Sequence, residues 1–405
     1  MTAVLLPTAL LTAIIMALTF AVQAARRVLA PSKPVEIRVN ETLALKGATG
    51  DKLLSILKDG GVPIPSACAG AGTCGLCRVR IPGGAGAPLP TELSRLNRAE
   101  VASGMRLACQ FVVRAPLQVL VPEEFLSAEV LTCSVASSTM LAPLIKEIVL
   151  DLPKGTAFDP RPGSFVQVTA PAFSLEFNSI DVAAEHEETW ARLGWRGLLV
   201  ATDEPVTRAY SMANTPADAH KVVLTIRLAV PPPGADVPPG IVSSYLFGLH
   251  PGDAVDISGP YGDFGARDTD REMVFIGGGV GMAPLRSIIH DQLERVGTKR
   301  KMSYWYGARG QSDAFYTDVF EALAKRHDNF RFALALSDPD PDVKTNAYTG
   351  FIHQVALNEY LNDHPAPEDC EYYLCGPPLM IAAVRAMLDS LGVEDEMIYF
   401  DDFGG

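Results

Sequence analysis

Charge is missing from the start of this chain: no ionisable side chain precedes Arg26. Basic residues are scarce throughout, with 34 Lys and Arg against 47 Asp and Glu and a net charge of −13. No basic stripe interleaved with aromatics occurs, which excludes a nucleic-acid-binding surface. The acidic balance favours solubility and suits a basic docking partner. The seven histidines are scattered and none pairs with another at metal-ligand spacing, so a histidine-based zinc site is not expected. The seven cysteines are odd in number, a poor disulfide framework for 405 residues, and point to a reducing compartment. No internal repeat is present. A hydrophobic content of 48% with 20% charged residues excludes a disordered chain, and the length implies two or three domains.

One long apolar run stands out against these absences. Residues 4–25 read "VLLPTALLTAIIMALTFAVQAA". As a helix this run spans roughly 33 Å, about one bilayer core. A cleaved signal peptide is one competing reading, because Val22-Gln23-Ala24 resembles a cleavage site. Signal peptides carry positive charge before the apolar run, whereas here Arg26, Arg27 and Lys33 follow it. A buried core helix is the other alternative, but this segment is apolar all round. Residues 1–28 are therefore expected to form a transmembrane anchor, with the rest of the chain on the cytoplasmic side.

Beyond it the pattern divides into three. Residues 33–125 open with an alternating stretch, "VEIRVNETLALKGATGD", expected to be a β-hairpin turning at Gly47 and Gly50. A short helix, a cysteine-rich loop and further strands follow. Residues 126–268 carry "LIKEIVLDL", "SFVQVTA", "VVLTIRLAV" and "DAVDISGP", which predict an antiparallel β-barrel. Residues 269–405 alternate strands with helices, which predicts an α/β parallel sheet with both faces covered.

Each division holds one candidate site. In "SACAGAGTCGLCRV", Cys68, Cys74 and Cys77 have the spacing C-x5-C-x2-C, and Cys109 lies 32 residues beyond Cys77. Soft thiolates among glycines favour a 2Fe–2S cluster, with zinc and a structural role as alternatives. In the second, "RAYSMAN" contains Arg208, Tyr210 and Ser211, and "GIVSSYL" places Gly240 before Ser243 and Ser244 at a helix start. A phosphate cradle with Arg208 as counter-charge is one reading, and an ordinary barrel strand is the other. In the third, "FIGGGVGMAP" supplies Gly277, Gly278, Gly279 and Gly281 between a strand and a helix, the form of a pyrophosphate turn. Its partner is Cys375, followed by Gly376 and Pro377, at the carboxyl end of a strand. A buried filler is the alternative for Cys375, and Cys133 and Cys370 are expected to be fillers.

Taken in this order, the three sites resemble a plant-type (β-grasp) ferredoxin domain followed by a ferredoxin–NADP⁺ reductase-like module. The resemblance implies FAD held by Arg208, Tyr210, Ser211, Gly240, Ser243 and Ser244, with Tyr210 stacked on the flavin. It implies NADH bound by Gly277, Gly278, Gly279, Gly281, Cys375, Gly376 and Pro377, and a 2Fe–2S cluster on Cys68, Cys74, Cys77 and Cys109. Within that group the chain resembles the F subunits of Na⁺-translocating NADH:quinone reductases, by its anchor, its C-x5-C gap and an acidic insertion near 171–206. The insertion includes "AAEHEETWARLGW", a candidate helix with Trp190 and Trp195 near one face, for packing or for contact with a partner. The resemblance implies hydride transfer from NADH to FAD, single electrons to the cluster, membrane partner subunits, quinone as final acceptor, and an inner-membrane location. It also implies that Phe403, or failing that Phe400, covers the flavin until nicotinamide displaces it. NADH is preferred over NADPH because "YGARGQSDAFY" offers Asp313 without a basic cluster, although Arg309 is near. The other readings are the reductase component of an aromatic-ring or multicomponent oxygenase, and a membrane-tethered redox-sensing or scaffold protein.

Overall fold

The computed structural model describes residues 12–21, 32–66, 68, 70–83, 85–126, 130–156 and 158–401. Residues 12–21 are helical, and no described helix is long and apolar enough to cross a membrane. Most of the proposed anchor lies outside the described residues. Two compact bodies are present, one within 1–126 and one within 127–405, with 65–69 grouped with the second.

The first body is a small α+β unit. Strands β1 (Pro34–Val39) and β2 (Leu43–Ala48) pair antiparallel. After β3 (Arg78–Arg80) and β4 (Met105–Leu107), β5 (Leu117–Val119) joins β1 in parallel, and β3 pairs with β4. The helix Leu53–Asp59 buries Leu53, Ile56 and Leu57. The hairpin turns at Asn40–Thr42, not at the expected Gly47 and Gly50. Asn40 and Glu41 both adopt positive φ, a conformation that Asn tolerates. The Asn40 side chain also donates to the Val121 carbonyl and accepts from the Val121 amide, each at 2.8 Å.

In the second body, β6 (Val130–Ala142), β7 (Ile145–Asp151) and β8 (Phe165–Ala170) precede a small antiparallel pair, β9 (Phe173–Glu176) and β10 (Leu199–Thr202). Strands β11 (Val206–Ser211), β12 (Lys221–Arg227) and β13 (Ala254–Tyr261) complete an antiparallel sheet in the order β11-β8-β13-β6-β7-β12. A bridge between Met212 and Leu224 links the two edge strands, so the sheet closes into a barrel. Alternate residues such as Val166, Val168, Leu224 and Ile226 fill its core. The acidic insertion does form a helix, Ala184–Arg192. Its Trp190 is fully buried, donates its indole N–H to the Pro143 carbonyl at 2.6 Å, and meets Trp195 edge-on at 5.8 Å.

The remaining strands form a parallel sheet: β14 (Met273–Gly278), β15 (Met302–Ala308), β16 (Phe330–Leu336), β17 (Tyr348–Thr349), β18 (Glu371–Cys375) and β19 (Ile398–Asp401). Their order is β17-β16-β15-β14-β18-β19. Met273 and Phe275 enter the core on one face, and Val274 and Ile276 enter the core on the other. The chain runs outward from β14 to one edge and then returns to build the other side. The β14/β18 boundary is therefore the topological switch point, where open α/β sheets bind ligands at their carboxyl ends.

Candidate functional site

The glycine turn and Cys375 meet at that switch point. Strand β14 ends in Gly277 and Gly278, and a tight turn over Gly279–Gly281 leads into the helix Met282–His290. The glycines serve two ends. A Cβ on Gly281 would lie 2.1 Å from the Cys375 carbonyl oxygen and 2.5 Å from the Gly376 nitrogen. One on Gly277 would lie 2.8 Å from Leu285 Cδ1, and one on Gly278 would lie 2.8 Å from the Met380 sulfur. These three let β14, β18 and the following helix close together. Gly279, at φ +54°, faces open space and is the residue over which a pyrophosphate can lie. Cys375 is buried at the end of β18.

The barrel motif faces this turn. At the end of β11, Ser211 Oγ donates to Asp401 Oδ2 on β19 at 3.4 Å. Arg286, on the helix after the glycine turn, donates to the Ala213 carbonyl and lies 4.8 Å over the Tyr316 ring. The Tyr316 hydroxyl in turn donates to Glu147 of β7. Arg208 is half-buried and donates to the Thr207 carbonyl at 2.8 Å, and no carboxylate pairs with it among the described residues. Tyr210 is half-buried, and desolvation holds its phenol well above the usual value against the opposing pull of Arg208. Gly240 caps the helix Ile241–Phe247. The hydroxyls of Ser243 and Ser244 both donate to the Gly240 carbonyl, at 3.1 and 2.7 Å. Their side chains thus shape the turn, and the amides of the first helical turn remain as anion donors. Phe400 lies on β19 under the Arg385 guanidinium, 5.0 Å from its ring centre. Phe403 lies outside the described residues. Arg309 pairs with Asp338 at 3.5 Å, and Asp313 accepts the Gly310 amide at 3.2 Å.

In the first body, Cys74, Cys77 and Cys109 are buried; Cys68, in the 65–69 segment grouped with the second, is half-exposed. Gly70, Gly72 and Gly75 have φ of +86°, +83° and +69°, a backbone that side-chain-bearing residues rarely adopt. The Ala108 amide donates to the Cys77 carbonyl at 2.8 Å, which brings the loop against the Cys109 segment. Arg78 fastens the loop from outside through the Gly75 and Arg95 carbonyls, each at 3.0 Å. Sequence reading missed Gln110. Its amide nitrogen donates to the Gly70 carbonyl at 2.9 Å and to the Cys109 sulfur at 3.5 Å. A Cβ on Gly72 would strike that amide at 2.8 Å. The only sequence signal was adjacency to Cys109.

Three family models match: a "2Fe-2S iron-sulfur cluster binding domain" over 37–114, an "Oxidoreductase FAD-binding domain" over 197–265 and an "Oxidoreductase NAD-binding domain" over 275–386. The F subunit of the Na(+)-translocating NADH-quinone reductase of Yersinia pestis (strain Pestoides F) is 47% identical over 405 residues, covering 99% of this chain and 100% of that one. The chain belongs to the family of these F subunits. Another family member, from Marinomonas sp. (strain MWYL1), is 46% identical over 403 residues, with 99% of each chain covered. Among solved structures, the Amycolatopsis cytochrome P450 reductase GcoB is 27% identical with a TM-score of 0.60, over 91% of this chain and 98% of that one. The ferredoxin reductase in carbazole 1,9a-dioxygenase shares the fold, at 22% identity and a TM-score of 0.56, over 92% of this chain and 99% of that one. As an F subunit, the chain has a 2Fe–2S cluster, FAD and NADH as its redox groups. Its residues fit them. Buried thiols with an amide donor aimed at one sulfur suit a cluster, and an open glycine at the switch point suits a dinucleotide.

Proposed function

We propose that this chain is the electron-input component of a Na⁺-translocating NADH:quinone reductase. The observation that carries the reading is 47% identity to an F subunit of such a reductase over the full length of both chains, with all three redox domains matched in order. The chemistry supplied at the site is hydride acceptance by the flavin and single-electron carriage by the cluster.

The chain's own residues bind, orient and exclude water. Gly279 and the first amides of the helix Met282–His290 receive the NADH pyrophosphate, and Gly277, Gly278 and Gly281 keep that turn against β18. Cys375, Gly376 and Pro377 form the wall beside the nicotinamide. Arg208 neutralises the flavin pyrophosphate together with the amides after Gly240, while Ser243 and Ser244 fix the Gly240 turn. Tyr210 presents its ring to the flavin, and Ser211 ties that strand to β19. Phe403, in the terminal "DDFGG", covers the flavin between turnovers. Cys68, Cys74, Cys77 and Cys109 ligate the cluster. Arg309 is paired with Asp338 at 3.5 Å, so a 2′-phosphate would have to compete with that carboxylate, which supports NADH over NADPH.

The domains divide as 1–28, 33–125, 126–268 and 269–405. The first is a single-pass anchor in a bacterial inner membrane, and the other three lie on the cytoplasmic side. Other membrane subunits take the electrons to quinone and move the sodium, since residues 4–25 contain no carboxylate to bind it. Deleting residues 1–28 tests the arrangement. The truncated chain should be soluble, reduce artificial acceptors with NADH, and no longer co-purify with membrane subunits. Loss of NADH oxidation on truncation would contradict it.

A further inference from the structure

We propose that Glu272, His364 and Cys370 form a binding site for a zinc-type divalent metal ion, separate from the dinucleotide site. Glu272 immediately precedes β14 and Cys370 immediately precedes β18, so the cluster lies at the amino edge of the parallel sheet. The glycine turn is at the opposite edge, beyond the end of β14 at Gly278 and roughly 20 Å from Glu272 along the strand.

Three donor atoms converge on one point. Glu272 Oε2 lies 3.2 Å from His364 Nε2, Cys370 Sγ lies 3.8 Å from the same nitrogen, and one ligand atom from each residue falls within 4.8 Å of the others. A tetrahedral zinc with ordinary bond lengths has donor edges of roughly 3.3 Å for N···O and roughly 3.5 Å for N···S. The two edges at Nε2 need only a few tenths of an ångström of adjustment, and the Glu272 oxygen and Cys370 sulfur, within 4.8 Å of each other, would close toward roughly 3.5 Å around the ion. A nucleophilic relay would place thiol and carboxylate on different ring nitrogens; here both address Nε2. Cys370 is buried, and the His364 and Glu272 side chains are only 9% and 13% exposed. The Tyr360 hydroxyl donates to Glu272 Oε1 and turns Oε2 toward the shared point, as an outer-shell partner does. A groove lined by Thr269, Arg271, Ala366 and Asp369 leaves a way in for the ion and a fourth ligand.

Without metal, a cation already stands at this carboxylate. Lys301 Nζ is 3.2 Å from Glu272 Oε2, on a side chain 60% exposed and able to swing out. The Ala366 amide touches His364 Nδ1 at 3.3 Å, which sets the proton on Nε2. Binding releases the thiol proton to solvent, shifts the imidazole proton to Nδ1, and gives up that long amide contact.

The test is titration of the full, cofactor-loaded chain with zinc chloride after chelator washing, read by calorimetry and metal analysis. One zinc per chain is expected. Cys370→Ser and His364→Ala should each weaken binding at least ten-fold, and Lys301→Ala should tighten it. Glu272→Gln, nearly isosteric, gives the same loss if the other variants misfold, as judged by flavin and cluster absorbance. No stoichiometric zinc, unchanged affinity in the Cys370 and His364 variants, or weaker binding in Lys301→Ala would each overturn the site.

Discussion

Replacing Gly281 by Ala tests whether the nicotinamide wall is built by backbone contact. The new Cβ would lie 2.1 Å from the Cys375 oxygen, 2.3 Å from its carbonyl carbon and 2.5 Å from the Gly376 nitrogen. None of these atoms is the movable end of a side chain. Reaching even 3.0 Å requires the turn and the end of β18 to part by about 0.9 Å. Overpacking of this kind costs about 1–3 kcal/mol of stability. A displacement near 1 Å at a reacting centre costs on the order of 100-fold in rate, equivalent to about 2.7 kcal/mol of barrier. Stopped-flow reduction of the flavin by NADH should slow by about that factor, while the cluster's electron paramagnetic resonance signal stays unchanged. Gly279→Ala is the control, because nothing lies within 4 Å of its Cβ position. Its cost is that of a left-handed alanine, about 1–2 kcal/mol. It should raise the KM for NADH more than it lowers flavin reduction at saturation. A Gly281→Ala enzyme that reduces its flavin at the parent rate would refute the reasoning.

Three further outcomes follow from the packing. Gln110→Leu removes a donor to the Cys109 sulfur, worth about 1 kcal/mol, so the cluster midpoint potential should fall by about 40 mV in a redox titration, with the cluster still assembled. Trp190→Phe strands the buried Pro143 carbonyl and should lower the denaturation free energy of the second body by about 2 kcal/mol, while leaving association with membrane partners intact. Lys146 is buried, donates to the Phe247 carbonyl at 2.8 Å, and has its pKa lowered by desolvation to about 8. The unfolded chain then binds more protons between about pH 8 and 10.5, so this group adds stability as pH rises through that window. Denaturation midpoints compared at pH 7, 8, 9 and 10 should show that rise in the parent and a flatter profile in Lys146→Met.

Local chemistry was legible in the sequence where it is carried by contiguous residues. The glycine turn, the strand ending in Cys375 and the apolar strands of the parallel sheet all announce themselves within short windows. Features set by distant partners do not. The hairpin turns at Asn40 because Val121, 81 residues away, holds its side chain in both directions. Strand β6 passes unnoticed because "SVASSTM" is polar, although its ends pair across the barrel with β13 and β7. The roles of Gly277, Gly278 and Gly281 divide from that of Gly279 only once β18 is placed against them. The tryptophans of the acidic insertion serve the barrel core, a role their spacing left open. His364 and Cys370 read as unrelated residues because their third partner, Glu272, lies 92 positions before His364.

The order of electron flow, from flavin to cluster to quinone, is open to test in Cys74→Ala. NADH is mixed with the purified multisubunit complex carrying the variant, and flavin bleaching, cluster absorbance and quinone reduction are followed in the same sample, with the parent complex alongside. Flavin reduction at the parent rate is expected, with no cluster absorbance and no quinone reduction. Loss of flavin reduction together with the cluster, or quinone reduction persisting without it, would rule out electron flow from flavin through the cluster.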